Sequence, residues 1–234
     1  MPTLFILLPP SEGKSPLGGR TTFVRSAPTL APDTAAVVTQ LQALTPAEQL
    51  AWYGVSTPEK AAAAHALNLA ALTAPARPAM QRYTGVVYDH IGFDTLTAPK
   101  ADAKRLLIVS ALFGLIPATT AIPDYKLPLR AGLATPWRPI NTARLAQWTK
   151  KNPVLSLLPQ THARAVAIPH AFHVDFRLDG GGKLAGHFGK AIKGRFVRWL
   201  LENEVHSPKD FGAFKEDGYV WEQQHPNAGV FTKA

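Results

Sequence analysis

Lys14 stands in the run SEGKS (Ser11 to Ser15), directly after the apolar stretch TLFILL at residues 3–8 and the pair Pro9-Pro10. An amine at the C-terminal end of a buried strand is placed where open α/β sheets make ligand contacts. The run is not a Walker A loop, which needs a glycine five residues before Gly13, where this chain has Leu8. Tyr88, Ser110, Tyr125 and Lys126, with Asp89 and Glu12, add acid, base and nucleophile types near expected element ends. Lys14, Lys126 and Lys190 gathered in one cleft would lower one another's pKa and favour proton transfer. That set raises, as the alternative to a binding protein, a cleft enzyme acting on a phosphorylated or nucleobase-like small molecule, with Lys14, Tyr88, Ser110, Tyr125 and Lys126 as its chemical groups.

A second set points elsewhere. Lys190, Lys193, Arg195 and Arg198 fall within GHFGKAIKGRFVRWLLEN (residues 186–203), and no acid occurs between Asp179 and Glu202. At about 100° per residue, Phe188, Ile192, Phe196, Trp199 and Leu200 gather in one arc. Lys190, Lys193 and Arg198 fall mainly opposite, with Arg195 at the border. An amphipathic helix with solvated lysines accounts for this pattern, yet such helices usually mix both signs of charge on the wet face. Gly189 and Gly194 also remove bulk beside the lysines, which admits a phosphate or another backbone. The whole chain carries 25 Lys and Arg against 16 Asp and Glu, a formal +9. A field of that sign favours polyanions. The anion-binding set is then Lys14, Lys126, Lys190, Lys193, Arg195 and Arg198, with phosphate rather than base edges as the target.

Several classes drop out. With no cysteine among the 234 residues, disulfides, thiolate chemistry and cysteine-ligated zinc are excluded, in keeping with a reducing cytoplasm. The N-terminal apolar run is too short for a membrane span and has no basic region before it. His170, His173, Asp175 and His187 are too loosely spaced for a metal site to be assigned, so neither metal nor cofactor is expected.

The elements that must position these groups follow from pattern. Residues 3–8 and 106–112 read as buried strands, expected to be neighbours in one sheet. Residues 33–74 read as helices broken at Pro46 and Pro58. A short helix is expected from Asn141 to Lys151, and strands at 154–158 and 165–169. AFHVDFRL alternates apolar with polar and reads as a half-buried strand, and the tail as a hairpin around residues 226–229. The fold class expected is mixed α/β (α+β): one domain over residues 1–234, monomeric, with a central sheet, flanking helices and a positively charged cleft.

Six stretches in this order resemble the bacterial peroxide-stress proteins of the YaaA family. They are LLPPSEGKS, YTGVVYD, VSALFGLIP, PDYKLPL, GKAIKGRFVRWLLEN and the closing DFGAFKEDGYVWEQQHPNAGVFTK. The resemblance implies a compact α/β fold with a basic cleft and a helix-hairpin-helix-like element. It also implies binding to double-stranded or branched DNA, and a part in limiting iron-dependent oxidative damage. Lys14, Gly85, Tyr88, Ser110, Gly114, Tyr125, Lys126, Lys190, Lys193 and Gly194 are the matching positions. The chain departs from the family pattern at Ala111 and Phe113, where Gly and Tyr are frequent, and at Ala191, where a second lysine is frequent.

Overall fold

The computed structural model describes residues 3–150, 152–178, 186–216 and 218–233. Its strands are β1 (Phe5–Leu8), β2 (Arg77–Pro78), β3 (Leu106–Ser110), β4 (Gly114–Pro117), β5 (Ala121–Ile122), β6 (Val154–Ser156), β7 (Phe172–Leu178), β8 (Tyr219–His225) and β9 (Ala228–Lys233). Its helices are α1 (Phe23–Ser26), α2 (Ala31–Gln42), α3 (Pro46–Tyr53), α4 (Pro58–Leu69), α5 (Ala79–Arg82), α6 (Val86–Ile91), α7 (Pro99–Asp102), α8 (Ala131–Thr149), α9 (Gln160–Ala163) and α10 (Gly186–Glu202).

Seven strands form one mixed sheet in the order β4-β3-β1-β6-β7-β9-β8. The five inner strands run parallel, and β4 and β8 close the two edges antiparallel. The expected neighbours do pair: Ile6 lies opposite Leu106 and Leu8 opposite Ile108. Every residue of β3 is buried, as befits an inner parallel strand covered on both faces. From β1 the chain winds to β3 on one side, then returns to β6 on the other and continues outward. The direction of winding therefore reverses between β1 and β6. Their C-terminal ends open a crevice there, the place where such sheets bind ligands.

Two expectations change. The helix expected from Asn141 begins ten residues earlier, at Ala131, and carries Pro136 and Pro139 inside it. Proline normally interrupts a helix; here side-chain contacts hold the segment. Trp137 donates its Nε1–H to the Ala111 carbonyl at 2.7 Å, Asn141 accepts from the Leu115 N–H at 2.6 Å, and Arg144 donates to the Phe113 carbonyl at 3.3 Å. Residues 165–169 make no strand. Asn141 instead donates to the Ala165 carbonyl, and the Ala167 N–H donates to Thr142 Oγ1, both at 2.9 Å, so α8 satisfies backbone that a ladder would otherwise pair.

α10 carries the aromatic core. Phe196 is fully buried, with ring centroids within 6.1 Å of Phe176, Trp199, Phe211, Phe214 and Phe231. The helix crosses α6 closely at Gly194, where a β-carbon would overlap the Val87 carbonyl oxygen and lie 2.6 Å from His90 Cβ. The backbone that this glycine admits is α6. Gly194→Ala should therefore destabilise the fold by about 1–3 kcal/mol despite alanine's better helix propensity. Gly132 has open space around its β-carbon position, so Gly132→Ala should be neutral or stabilise by up to about 1 kcal/mol. Urea unfolding of both variants checks the pair; equal effects would contradict the close crossing.

Candidate functional site

The loop after β1 supplies the first wall of the crevice. It is held against residues 82–85 by backbone contacts: Thr84 N–H to Gly13 O at 3.0 Å and Ser15 N–H to Arg82 O at 2.8 Å, with Ser11 Oγ donating to the Thr84 carbonyl. Two glycines make the approach possible. A β-carbon at Gly13 would come within 2.9 Å of Thr84 Oγ1, and one at Gly85 within 2.7 Å of Ser11 Oγ. Gly85 also has φ +112°, a region that side chains disfavour. Arg82 is buried beneath and donates to the carbonyls of Ser15, Pro75 and Ile122.

The segment PDYKLPLR forms the facing wall. Asn68, fully buried on α4, grips Lys126 from both sides: its side chain donates to the Lys126 carbonyl at 2.8 Å and accepts from the Lys126 N–H at 2.9 Å. Between the walls lies a cavity of about 320 Å³, lined by Ser11, Glu12, Lys14, Tyr53, Tyr125, Lys126, Arg130 and His162 among others. Three cations, Lys14, Lys126 and Arg130, thus face one acid, Glu12. His162 enters from α9, which follows β6, so both sides of the winding reversal contribute.

Lys14 and His162 are both strongly perturbed. Lys14 Nζ donates to the carbonyls of Ser11 at 3.0 Å and Glu12 at 3.3 Å, and stands 4.2 Å from the centre of the Tyr125 ring. Burial pushes its pKa down to about 8; Asp124 and Glu12 pull it up, while Lys126 and Arg82 push it further down. Burial likewise lowers His162 to about 4, which leaves its imidazole neutral at physiological pH.

Behind Lys14 runs a chain of hydroxyls. Tyr83 and Tyr125 are 2.8 Å apart at oxygen, and Tyr125 and Ser110 3.0 Å. Ser110 Oγ also accepts from the N–H groups of Leu112 and Phe113 at 3.2 and 3.3 Å. Its proton is then best directed at Tyr125. Ser110 has no exposed surface and lies behind Tyr125, which lines the crevice. Tyr88 is buried too and donates to the Pro9 carbonyl at 2.8 Å. Desolvation raises the pKa of Tyr83, Tyr88 and Tyr125, the last to about 12.

The cations of α10 divide by role. Lys190 is exposed. Lys193 is half-buried, and desolvation lowers its pKa against the pull of Asp175. Arg195 pairs with Glu216 at 3.1 Å. Arg198 donates to the Ile91 and Gly92 carbonyls and to Thr95, closing the end of α6, and pairs with Glu202 at 2.6 Å. Among the described residues, none of those lining the cavity comes from α10. The contacts of Gly194 with Val87 and of Gly85 with Ser11 link the two regions.

Gly114, the glycine available for a helical hairpin, instead opens β4 at φ +65° and turns a β-hairpin against β3, where it pairs with Ser110. Among the described residues no three His, Asp or Glu come together to hold a metal ion. Asp175 meets Arg177 at 3.4 Å, and the side chain of His187 lies outside the described set. Among the same residues no helix is long and apolar enough to cross a membrane. Sequence reasoning misses Asn68, Arg130 and His162. Arg130 closes the run that begins at Pro123 and is within reach of that motif; Asn68 and His162 carry no local signal.

A family model described as peroxide stress protein YaaA matches residues 4–225. The chain belongs to this family. It is 32% identical to a UPF0246 protein of Corynebacterium glutamicum, with 96% of each chain covered, and 36% identical to one of Corynebacterium efficiens over 84% of each. A UPF0246 protein of Streptomyces coelicolor is 32% identical, covering 97% of this chain and 95% of its own.

The depressed Lys14 pKa has a consequence for stability. Between about 8 and the ordinary 10.5, the unfolded chain holds a proton that the folded chain has released. The penalty for burying the charge is therefore full below pH 8 and is relieved as pH rises toward 10.5. Unfolding free energies of wild type and Lys14→Met, measured from pH 6 to about 10.5, should diverge in favour of wild type above pH 8. A pH-independent difference would contradict the burial of this amine.

Proposed function

We propose that this YaaA-family chain serves the peroxide-stress response by binding the phosphates of double-stranded or branched DNA. The observation that carries this reading is the convergence of Lys14, Lys126 and Arg130 on the crevice at the winding reversal, with exposed Lys190 on α10 as a further cation. Lys193 would add charge only in part, because it is half-buried. Arg195 and Arg198 would set the helix against its neighbours rather than reach a ligand, since both are tied to carboxylates. Recognition of this kind positions a duplex without reading its sequence. Limiting iron-dependent oxidative damage would be the protein's part in that response.

A second reading is favoured by the size of the cavity and by Lys14 within it. A space of about 320 Å³ suits a small molecule rather than a duplex. An enzyme acting there on a phosphorylated or nucleobase-like compound would use Lys14 as its reactive group. Tyr125 would form the wall, and Ser110 and Tyr83 would fix that wall in place. Tyr88, tied to the Pro9 carbonyl, would brace the loop.

Duplex affinity across a salt series separates the two. Removing one cation that neutralises a phosphate should flatten the log–log salt slope by about 0.9. Lys126→Ala with Lys190→Ala should therefore reduce it by roughly two and weaken binding to unrelated duplexes alike. An unchanged slope would remove the nucleic-acid reading and leave the small-molecule one.

A further inference from the structure

Lys14 is placed as a reactive amine. A neutral primary amine has two N–H bonds and one lone pair. The Ser11 and Glu12 carbonyls, at 3.0 and 3.3 Å, take up two N–H directions, and the centre of the Tyr125 ring is 4.2 Å from the nitrogen. Lys14 lines the cavity together with Lys126 and Arg130. We infer that Lys14 Nζ is a nucleophile that condenses with the carbonyl carbon of a small aldehyde or 2-oxo compound, whose anionic group is held by Lys126 and Arg130. This rests on the second, small-molecule reading above.

The step balances without a redox partner. The nitrogen lone pair forms the C–N bond while the C=O π pair moves to oxygen, which takes up a proton. The nitrogen gives up its protons, the C–O bond breaks, and the oxygen leaves as water. The product is an imine. The amine's displacement to a pKa of about 8 supports this use: about a quarter of it is neutral at pH 7.5, against about one part in a thousand for an ordinary lysine. The two cations bring the anionic substrate in without competing, because neither shares the carbonyl contacts of Lys14. His162 stays neutral and adds no further charge.

Glyoxylate with sodium cyanoborohydride tests the inference, with glycolaldehyde as the uncharged comparison and peptide mapping as the readout. Lys14 should carry the reduced adduct at least about tenfold more than exposed Lys60 or Lys190. The preference should appear with glyoxylate and shrink with glycolaldehyde or in Lys126→Ala. Lys14→Arg keeps the charge and should lose the adduct while the fold persists. Calorimetric titration with glycolate, which has the anion but no carbonyl, reports on the cavity alone. Adducts spread evenly over the lysines while glycolate still binds would overturn the imine and spare the small-molecule reading. Even adducts with no glycolate binding would overturn both.

Discussion

The backbone contact between the loop leaving β1 and residues 82–85 is the constraint on which the crevice depends. Parallel strands that reverse their winding leave a gap at their C-terminal ends, but the gap has walls only if the loops are held. Gly13 and Gly85 allow the two segments to touch, and Arg82 fixes them from below through carbonyls on three separate segments. Lys14 lies inside this contact. Its amine sits between the Ser11 and Glu12 carbonyls and the Tyr125 ring, and desolvation dominates its titration. A bulkier residue at either glycine would push the walls apart and return Lys14 to water.

Part of the positive charge serves the interior. Arg82, Arg105 and Arg144 are buried, and all three donate to backbone carbonyls. Arg105 joins the end of α10 to β1 through Leu200 and Leu4. Such bonds satisfy acceptors at loop and helix ends that would otherwise be costly to bury. A formal +9 therefore overstates the field available to a partner. Lys126, Arg130 and Lys190 are better measures of it than the total, because they retain surface.

What the sequence discloses follows the physics of each signal. The apolar runs at 3–8 and 106–112 are legible because inner parallel strands need continuous hydrophobicity, and β7 because it alternates. Helical period alone places Phe196 in the core. The start of α8 is hidden by Pro136 and Pro139, whose local cost is offset by contacts of Trp137, Asn141 and Arg144 that no local window contains. Residues 165–169 look like a strand because they are apolar, yet their partners are side chains of α8. At the site, Lys14 and Lys126 are found through their motifs. Asn68 and His162 are not, since their roles arise from packing across 58 residues in one case and from the placement of the short helix α9 in the other. Arg198 looks like a free cation in a one-signed row; its partners Ile91, Gly92 and Thr95 lie more than a hundred positions away.

The small-molecule reading and the imine chemistry depend on Lys14 being a half-buried, perturbed amine at a walled crevice. An NMR titration of the Lys14 ammonium, followed at Cε and Nζ in otherwise wild-type protein, measures that directly. The structure predicts a midpoint at about 8; a midpoint near the ordinary 10.5 would contradict it.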